Sequence, residues 1–249
     1  MLLAIDIGNT NITFGLFRGK KLIKRFNIPT KKYTIQNLRN SLDEIAIDDS
    51  IICSVVPKML HILNRDLIKL SDKKPRIVGE DVQVPVRNLY RYPKQVGSDR
   101  LVNTYAAIML YGAPLIIIDF GTAITFDVIS TRNEYLGGMI LPGLGISLDV
   151  LVERTALLPE VRLNKPREFI GRSTKNSMLS GIIYGFAVLT DELTNRIRNK
   201  IGKRARIIGT GGDIRIIGKY CKSIDEINQD LTLMGLNLIY HNILKRRQS

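Results

Sequence analysis

One short passage occurs twice in this chain. "AIDIGNTNITFGLF" occupies residues 4–17 and "IIDFGTAITFDVI" occupies residues 117–129. Aligned on Asp6 and Asp119, both run from an apolar pair through Asp, an apolar residue and Gly into Ile-Thr-Phe, with registers that differ by one residue. An apolar run that stops on a carboxylate and turns through glycine into a second apolar run reads as two strands joined by a tight turn. Two such hairpins, far apart in one chain, point to a fold that uses one plan twice.

The remaining pattern keeps to that plan. After strands at 2–6, 11–17 and 22–28, Ile35, Leu38, Leu42 and Ile45 recur at helical spacing and predict a helix near 34–46. "SIICSVVP" is a short β-branched run closed by Pro57 and reads as a buried parallel strand. A helix at 58–70 and the short strand "RIVG" complete the first half. The second half offers strands at 115–119, 124–129 and 135–140, and helices near 146–156 and 174–200. A strand at 205–210, the turn Gly211–Gly212 and a last helix or two to Lys245 follow. Both halves read β-β-β-α-β-α, which predicts an α/β protein of two domains, residues 1–114 and 115–249, each a mixed β-sheet flanked by helices.

Composition removes several classes. No apolar run is long enough to span a bilayer, because Asp119 and Asp127 interrupt the longest, and this argues against a membrane protein. The N-terminus has no basic segment or cleavage site, and only Cys53 and Cys221 are present, which together favour a reducing cytoplasm with free thiols. The net charge of +14 is spread over both halves, with only the short run Lys245 to Arg247 resembling a basic tail. Zinc-finger spacing and aromatics interleaved with basic residues are both missing from the sequence, which argues against nucleic acid and favours small anionic substrates.

The repeated turn has a chemistry of its own. Its glycine lets backbone approach a ligand closely, and the N–H groups at Asn9–Thr10 and Thr122–Ala123, with the Thr hydroxyls, can donate to phosphate. Asp6 and Asp119 repel phosphate directly but suit a metal ion such as Mg²⁺ that bridges to it. Two such turns facing each other across a cleft would clamp a polyphosphate; the plainer reading is a pair of hairpins with solvated carboxylates. His61 and His241 lie away from every motif, so a Ser-His-Asp triad or a histidine metal site is disfavoured. The P-loop pattern is missing, and "GTGGD" at 209–213 lacks dinucleotide-fingerprint spacing.

The two turns resemble the phosphate motifs of the sugar kinase, Hsp70 and actin superfamily, whose two ribonuclease-H-like domains flank an ATP cleft. Within it the whole chain resembles the type III pantothenate kinases. The resemblance is carried by "DIGNT" at 6–10, "SVVP" at 54–57, "YRYPKQVGSDR" at 90–100 and "DFGTAIT" at 119–125, followed by "GGMILPG" at 137–143, "GRSTKNSMLSG" at 171–181 and "GTGGD" at 209–213. It implies ATP-dependent phosphorylation of pantothenate to 4′-phosphopantothenate at the start of coenzyme A synthesis, in a homodimer with the active site at the interface. A non-catalytic transcription accessory member of the same family is the alternative, and the retained Asp6, Asp99, Arg100, Asp119 and Thr174 count against it.

Residue by residue, the resemblance makes Asp6, Ile7, Gly8, Asn9, Thr10, Asn11, Ile12 and Thr13 the triphosphate site, with Asp6 acting through Mg²⁺. Thr122 is a further ATP contact, and Asp119 is a ligand for a monovalent cation, K⁺ or NH₄⁺. Gly97, Ser98, Asp99 and Arg100 line the pantothenate pocket. Phosphoryl transfer needs a carboxylate near the attacking hydroxyl, and Asp99, at the expected start of a helix, is either that base or a helix cap. Arg100 can meet the substrate carboxylate in bidentate geometry. Tyr90 matches a substrate-contacting tyrosine by its spacing to Pro93, with Tyr92 two residues away as the other choice. Thr174 corresponds to a contact delivered by the partner subunit, although Ser173 or Thr174 also suits a helix N-cap. Ile124 stands where the family often has threonine and takes no polar role. Gly209–Gly212 either lie under the adenosine or simply form a tight turn. The stripe Ile182, Phe186, Leu189 and Leu193 is either core or part of a two-fold contact.

Overall fold

A computed structural model of the chain describes residues 1–246, so the expected basic tail lies partly outside the described residues, at Arg247. The chain begins with β1 (Leu2–Ile7), β2 (Asn11–Arg18) and β3 (Lys21–Pro29), then α1 (Ile35–Leu42), β4 (Asp49–Ser54), α2 (Pro57–Ser71) and β5 (Arg76–Ile77). It continues through β6 (Arg87–Asn88), α3 (Ser98–Tyr111), β7 (Leu115–Phe120), β8 (Ala123–Ile129), β9 (Glu134–Pro142) and α4 (Leu144–Glu153). The last elements are α5 (Thr174–Ile201), β10 (Arg206–Thr210), α6 (Ile214–Ile217), β11 (Glu226–Ile227) and α7 (Leu231–Arg246).

Two sheets result, and they share one topology. The first has strand order β3-β2-β1-β4-β5 and the second β11-β10-β7-β8-β9-β6. Read in reverse, the second is the first with β6 added at one edge. In each, the opening strand pairs antiparallel with the next and parallel with the strand after the first helical segment, as β1 does with β2 and β4 and β7 does with β8 and β10. Asp6 sits opposite Thr13 and Cys53, and Asp119 sits opposite Thr125 and Thr210. The one-residue offset between the repeats lies in the turns: Ile7 faces Ile12, whereas Phe120 faces Ile124.

The compact units differ from the expected division at 114/115. Among the described residues, the first comprises 1–86, 91–110 and 231–246, and the second comprises 87–90 and 111–230. The C-terminal helix belongs to the first unit because its apolar face is needed there. Leu233, Leu236 and Ile239 pack with Leu2, Ala4, Phe17, Ile51, Cys53, Val102 and Tyr105. On the other face of that sheet Leu3, Ile5, Ile7, Phe14 and Ile52 pack with Leu38, Leu63 and Leu67 from α1 and α2. Strand alternation therefore puts Asp6 on the same face as Leu2 and Ala4. In the second unit Ile116, Ile118 and Phe120 face Ile183, Ala187 and Ile197 of α5, which leaves Asp119 on the opposite face.

Local chemistry sets most element ends. Thr34 caps α1 through its side chain, which accepts the Asn37 N–H at 3.1 Å, and the helix stops at Leu42 because Asp43 and Glu44 take left-handed conformations. This is shorter than the expected helix over 34–46. Pro57 begins α2 at a position where a helix needs no N–H. The two-residue strands β6 and β11 differ from β5 in having no sequence signal, because Arg87–Asn88 and Glu226–Ile227 lie in no apolar run like the "RIVG" that marks β5.

Candidate active site

In the first unit, the carboxyl ends of β1 and β4 and the start of α3 bring two acids close to one thiol. Asp6, next to the last residue of β1, lies beside Cys53 of β4, which is fully buried. The Cys53 thiol stands 3.2 Å from the Ser98 hydroxyl, and that hydroxyl also donates to the Ser54 carbonyl at 3.3 Å. Burial, and then the negative charges of Asp6 and Asp99, push the Cys53 thiol well above its usual range.

Asp99 is partly buried near the N-terminus of α3, and its Oδ1 accepts the Arg100 N–H at 2.9 Å. Burial raises its pKa above the usual carboxylate range, against the opposing pull of the Arg100 backbone bond and the Arg100 charge. Gly97 makes this placement possible: a Cβ there would overlap Asp99 Oδ1. Arg100 is itself 8% exposed, so little of its guanidinium surface is reachable. Ser98, the remaining member of the expected pocket, ties α3 to β4.

The turn after β1 presents Asn9, Thr10 and Asn11 to solvent, whereas Ile7 and Ile12 are fully buried in the core and can offer a ligand only backbone. Gly8 N–H donates to the Asn11 carbonyl at 3.0 Å and closes the turn. Thr13 is partly buried in β2. Thr30, just past β3, was not anticipated, yet it bonds both Gly8 and Thr10. No motif marked it; only the pairing of β2 with β3 brings it to the turn.

In the second unit Asp119, next to the last residue of β7, lies under a glycine ceiling. Gly211 has φ +96°, and a Cβ on it would overlap the Asp119 carboxylate and the Phe120 carbonyl. The turn after β7 is held by Gly121 N–H donating to the Ala123 carbonyl at 3.2 Å and Gly143 N–H donating to the Thr122 carbonyl at 3.1 Å. Thr122 is exposed, and Ile124 is buried in the core, consistent with its having no polar role. Asp213 N–H donates to the Phe120 carbonyl at 3.0 Å, and burial raises the Asp213 pKa. The glycine-rich 209–212 segment thus closes over Asp119.

Tyr90 belongs to this second unit, not to the unit holding Gly97–Arg100. It lies against β9, with its ring 6.3 Å from that of Tyr135 and its edge over Gly137. Tyr92 is 61% exposed and belongs to the first unit. At the head of α5, Ser173 is the cap, accepting the Asn176 N–H at 3.4 Å, and Thr174 is the exposed first helical residue. Ile182, Phe186, Leu189 and Leu193 pack, partly buried, against the second core. His61 is exposed and His241 Nε2 bonds the Gly19 carbonyl at 3.1 Å. Among the described residues, no three His, Cys, Asp or Glu side chains converge on a metal-sized site, and no helix is long and apolar enough to cross a membrane.

The family model described as type III pantothenate kinase matches residues 2–196. A protein from Agathobacter rectalis named Type III pantothenate kinase is 39% identical over 251 residues, covering 96% of each chain. Among solved structures, a conserved Campylobacter jejuni protein named for the Baf family of transcriptional activators aligns with a TM-score of 0.61 at 20% identity, over 98% of this chain and 99% of that one. The activator of 2-hydroxyisocaproyl-CoA dehydratase from Clostridium difficile, with bound ADPNP, aligns with a TM-score of 0.56 at 10% identity, over 99% and 96%. At these identities the structural likenesses bear on the fold.

Proposed function

Because the chain belongs to the type III pantothenate kinase family and is therefore a kinase, we propose that it transfers the γ-phosphoryl group of ATP to the primary hydroxyl of pantothenate, with Asp99 as the acceptor of the hydroxyl proton. The observation that carries the role of Asp99 is its setting. It is a partly buried carboxylate with a raised pKa, steadied by one backbone N–H and given room by Gly97, on the same sheet end as Asp6. A base tuned towards neutral pH takes a proton more effectively than an ordinary surface carboxylate.

The turn from Gly8 to Thr13 binds phosphate through its backbone N–H groups, and Thr122 is a further ATP contact. A single carboxylate at each turn fits an ion that takes its other ligands from phosphate and water, so Asp6 would hold Mg²⁺ and Asp119, beneath Gly211, a monovalent cation. When bound, such ions neutralise charge that develops on the transferring group. Gly97, Ser98 and Asp99 line the pantothenate pocket, and Thr174 reaches a neighbouring subunit's site in a homodimer.

The test is direct. Purified protein is incubated with ATP, Mg²⁺, K⁺ and pantothenate, and 4′-phosphopantothenate is measured against sugar acceptors and against reactions lacking K⁺. Phosphorylation of pantothenate alone, stimulated by K⁺, is expected. Sugar phosphorylation, or no turnover with both ions present, would overturn the assignment.

A further inference from the structure

Thr30 has no part in the reaction outlined above, yet it is 7% exposed and bonds the Gly8–Thr10 turn twice. Its Oγ1 donates to the Gly8 carbonyl at 2.7 Å, and its N–H donates to the Thr10 carbonyl at 2.9 Å. A trans peptide holds its C=O and N–H in one plane and pointing in opposite directions. The Gly8 carbonyl shares its peptide with the Asn9 N–H, and the Thr10 carbonyl shares its peptide with the Asn11 N–H. Anchoring both carbonyls on Thr30 therefore turns both N–H groups away from it.

Exposed turns of Asn, Thr and Gly ordinarily sample several peptide orientations, and a ligand that selects one loses affinity in doing so. Here the selection is made in advance, from β3. Resting on the kinase reading, we propose that Thr30 is a positioning residue for nucleotide: its hydroxyl and N–H preset the Gly8–Thr10 turn so that the Asn9 and Asn11 N–H groups are already oriented for a phosphate anion. It acts through the turn and does not itself meet the phosphates.

The proposal separates nucleotide from acceptor. Thr30→Val keeps the side-chain shape and removes the hydroxyl; Thr30→Ser keeps the hydroxyl. MgATP affinity is measured by titration calorimetry, with KM for ATP and for pantothenate alongside. The Kd and KM for ATP should rise roughly three- to tenfold in Thr30→Val, the size expected for one lost hydrogen bond. The KM for pantothenate should stay near wild type, and Thr30→Ser should restore ATP affinity. Equal rises in both KM values, or unchanged ATP affinity in Thr30→Val, would overturn it. A wild-type protein that binds MgATP but ignores pantothenate would remove the acceptor assignment while the calorimetric ratio still judges Thr30. Absence of MgATP binding would remove both.

Discussion

At Asp99 burial carries a cost to folding, and on the proposed reading the same burial serves the chemistry. Burial raises its pKa, so the folded protein holds that proton more tightly than the unfolded chain does. The penalty on stability is absent below the ordinary carboxylate value of about 3.9 and grows as pH rises through the elevated folded value. Asp99→Asn should therefore unfold at a higher temperature than wild type at pH 7, with the advantage vanishing below about pH 3.5, where both side chains are neutral. The same substitution should lower turnover by roughly 10²- to 10⁴-fold while MgATP affinity is retained. The acid limb of the wild-type kcat/KM profile should lie above the ordinary carboxylate range. Gly97→Ala tests the geometry: its Cβ displaces the Asp99 carboxylate, so turnover should fall with ATP affinity intact.

Among elements, α3 and α7 carry the first unit's site without belonging to its sheet. Gly235 of α7 lies so close to α3 that a Cβ would come 2.7 Å from the Val102 carbonyl and Cγ1. Thr232 donates to Asn103 at 2.7 Å and Asn242 donates to Tyr105 at 2.9 Å, so the two helices are matched by polar contacts as well. Gly235→Leu should destabilise by about 1–3 kcal/mol in denaturant unfolding, the usual cost of overpacking. Because α3 begins with Ser98 and Asp99, turnover should fall along with stability.

For the whole molecule, removing residues 231–249 takes away the helix that covers Leu2, Ala4, Ile51 and Cys53, so the truncated chain should aggregate on expression, checked by sedimentation. The +14 charge offers a second test. A diffuse positive field hastens capture of anions and is screened within about 10 Å at 0.1 M salt, so kcat/KM for ATP should fall several-fold on going to about 1 M salt, mainly through KM.

The repeat around Asp6 and Asp119 was enough to establish two equivalent sheets, because a buried strand ending on a carboxylate and turning at glycine is written in adjacent residues. Asp99, Asp119 and the turn residues could likewise be singled out as candidates, from residue type and their place beside a turn or helix start. Adjacent residues say nothing about partners from distant segments. Only the folded chain showed that α7 returns to the first unit, that Tyr90 departs to the second, and that Ile7 and Ile12 are buried in the core. The same holds for Thr30 and Gly211, whose contacts with the turns exist only once strands pair. Local order in the sequence fixes periodicity and turn chemistry; which surfaces need covering, and by what, is decided by long-range packing.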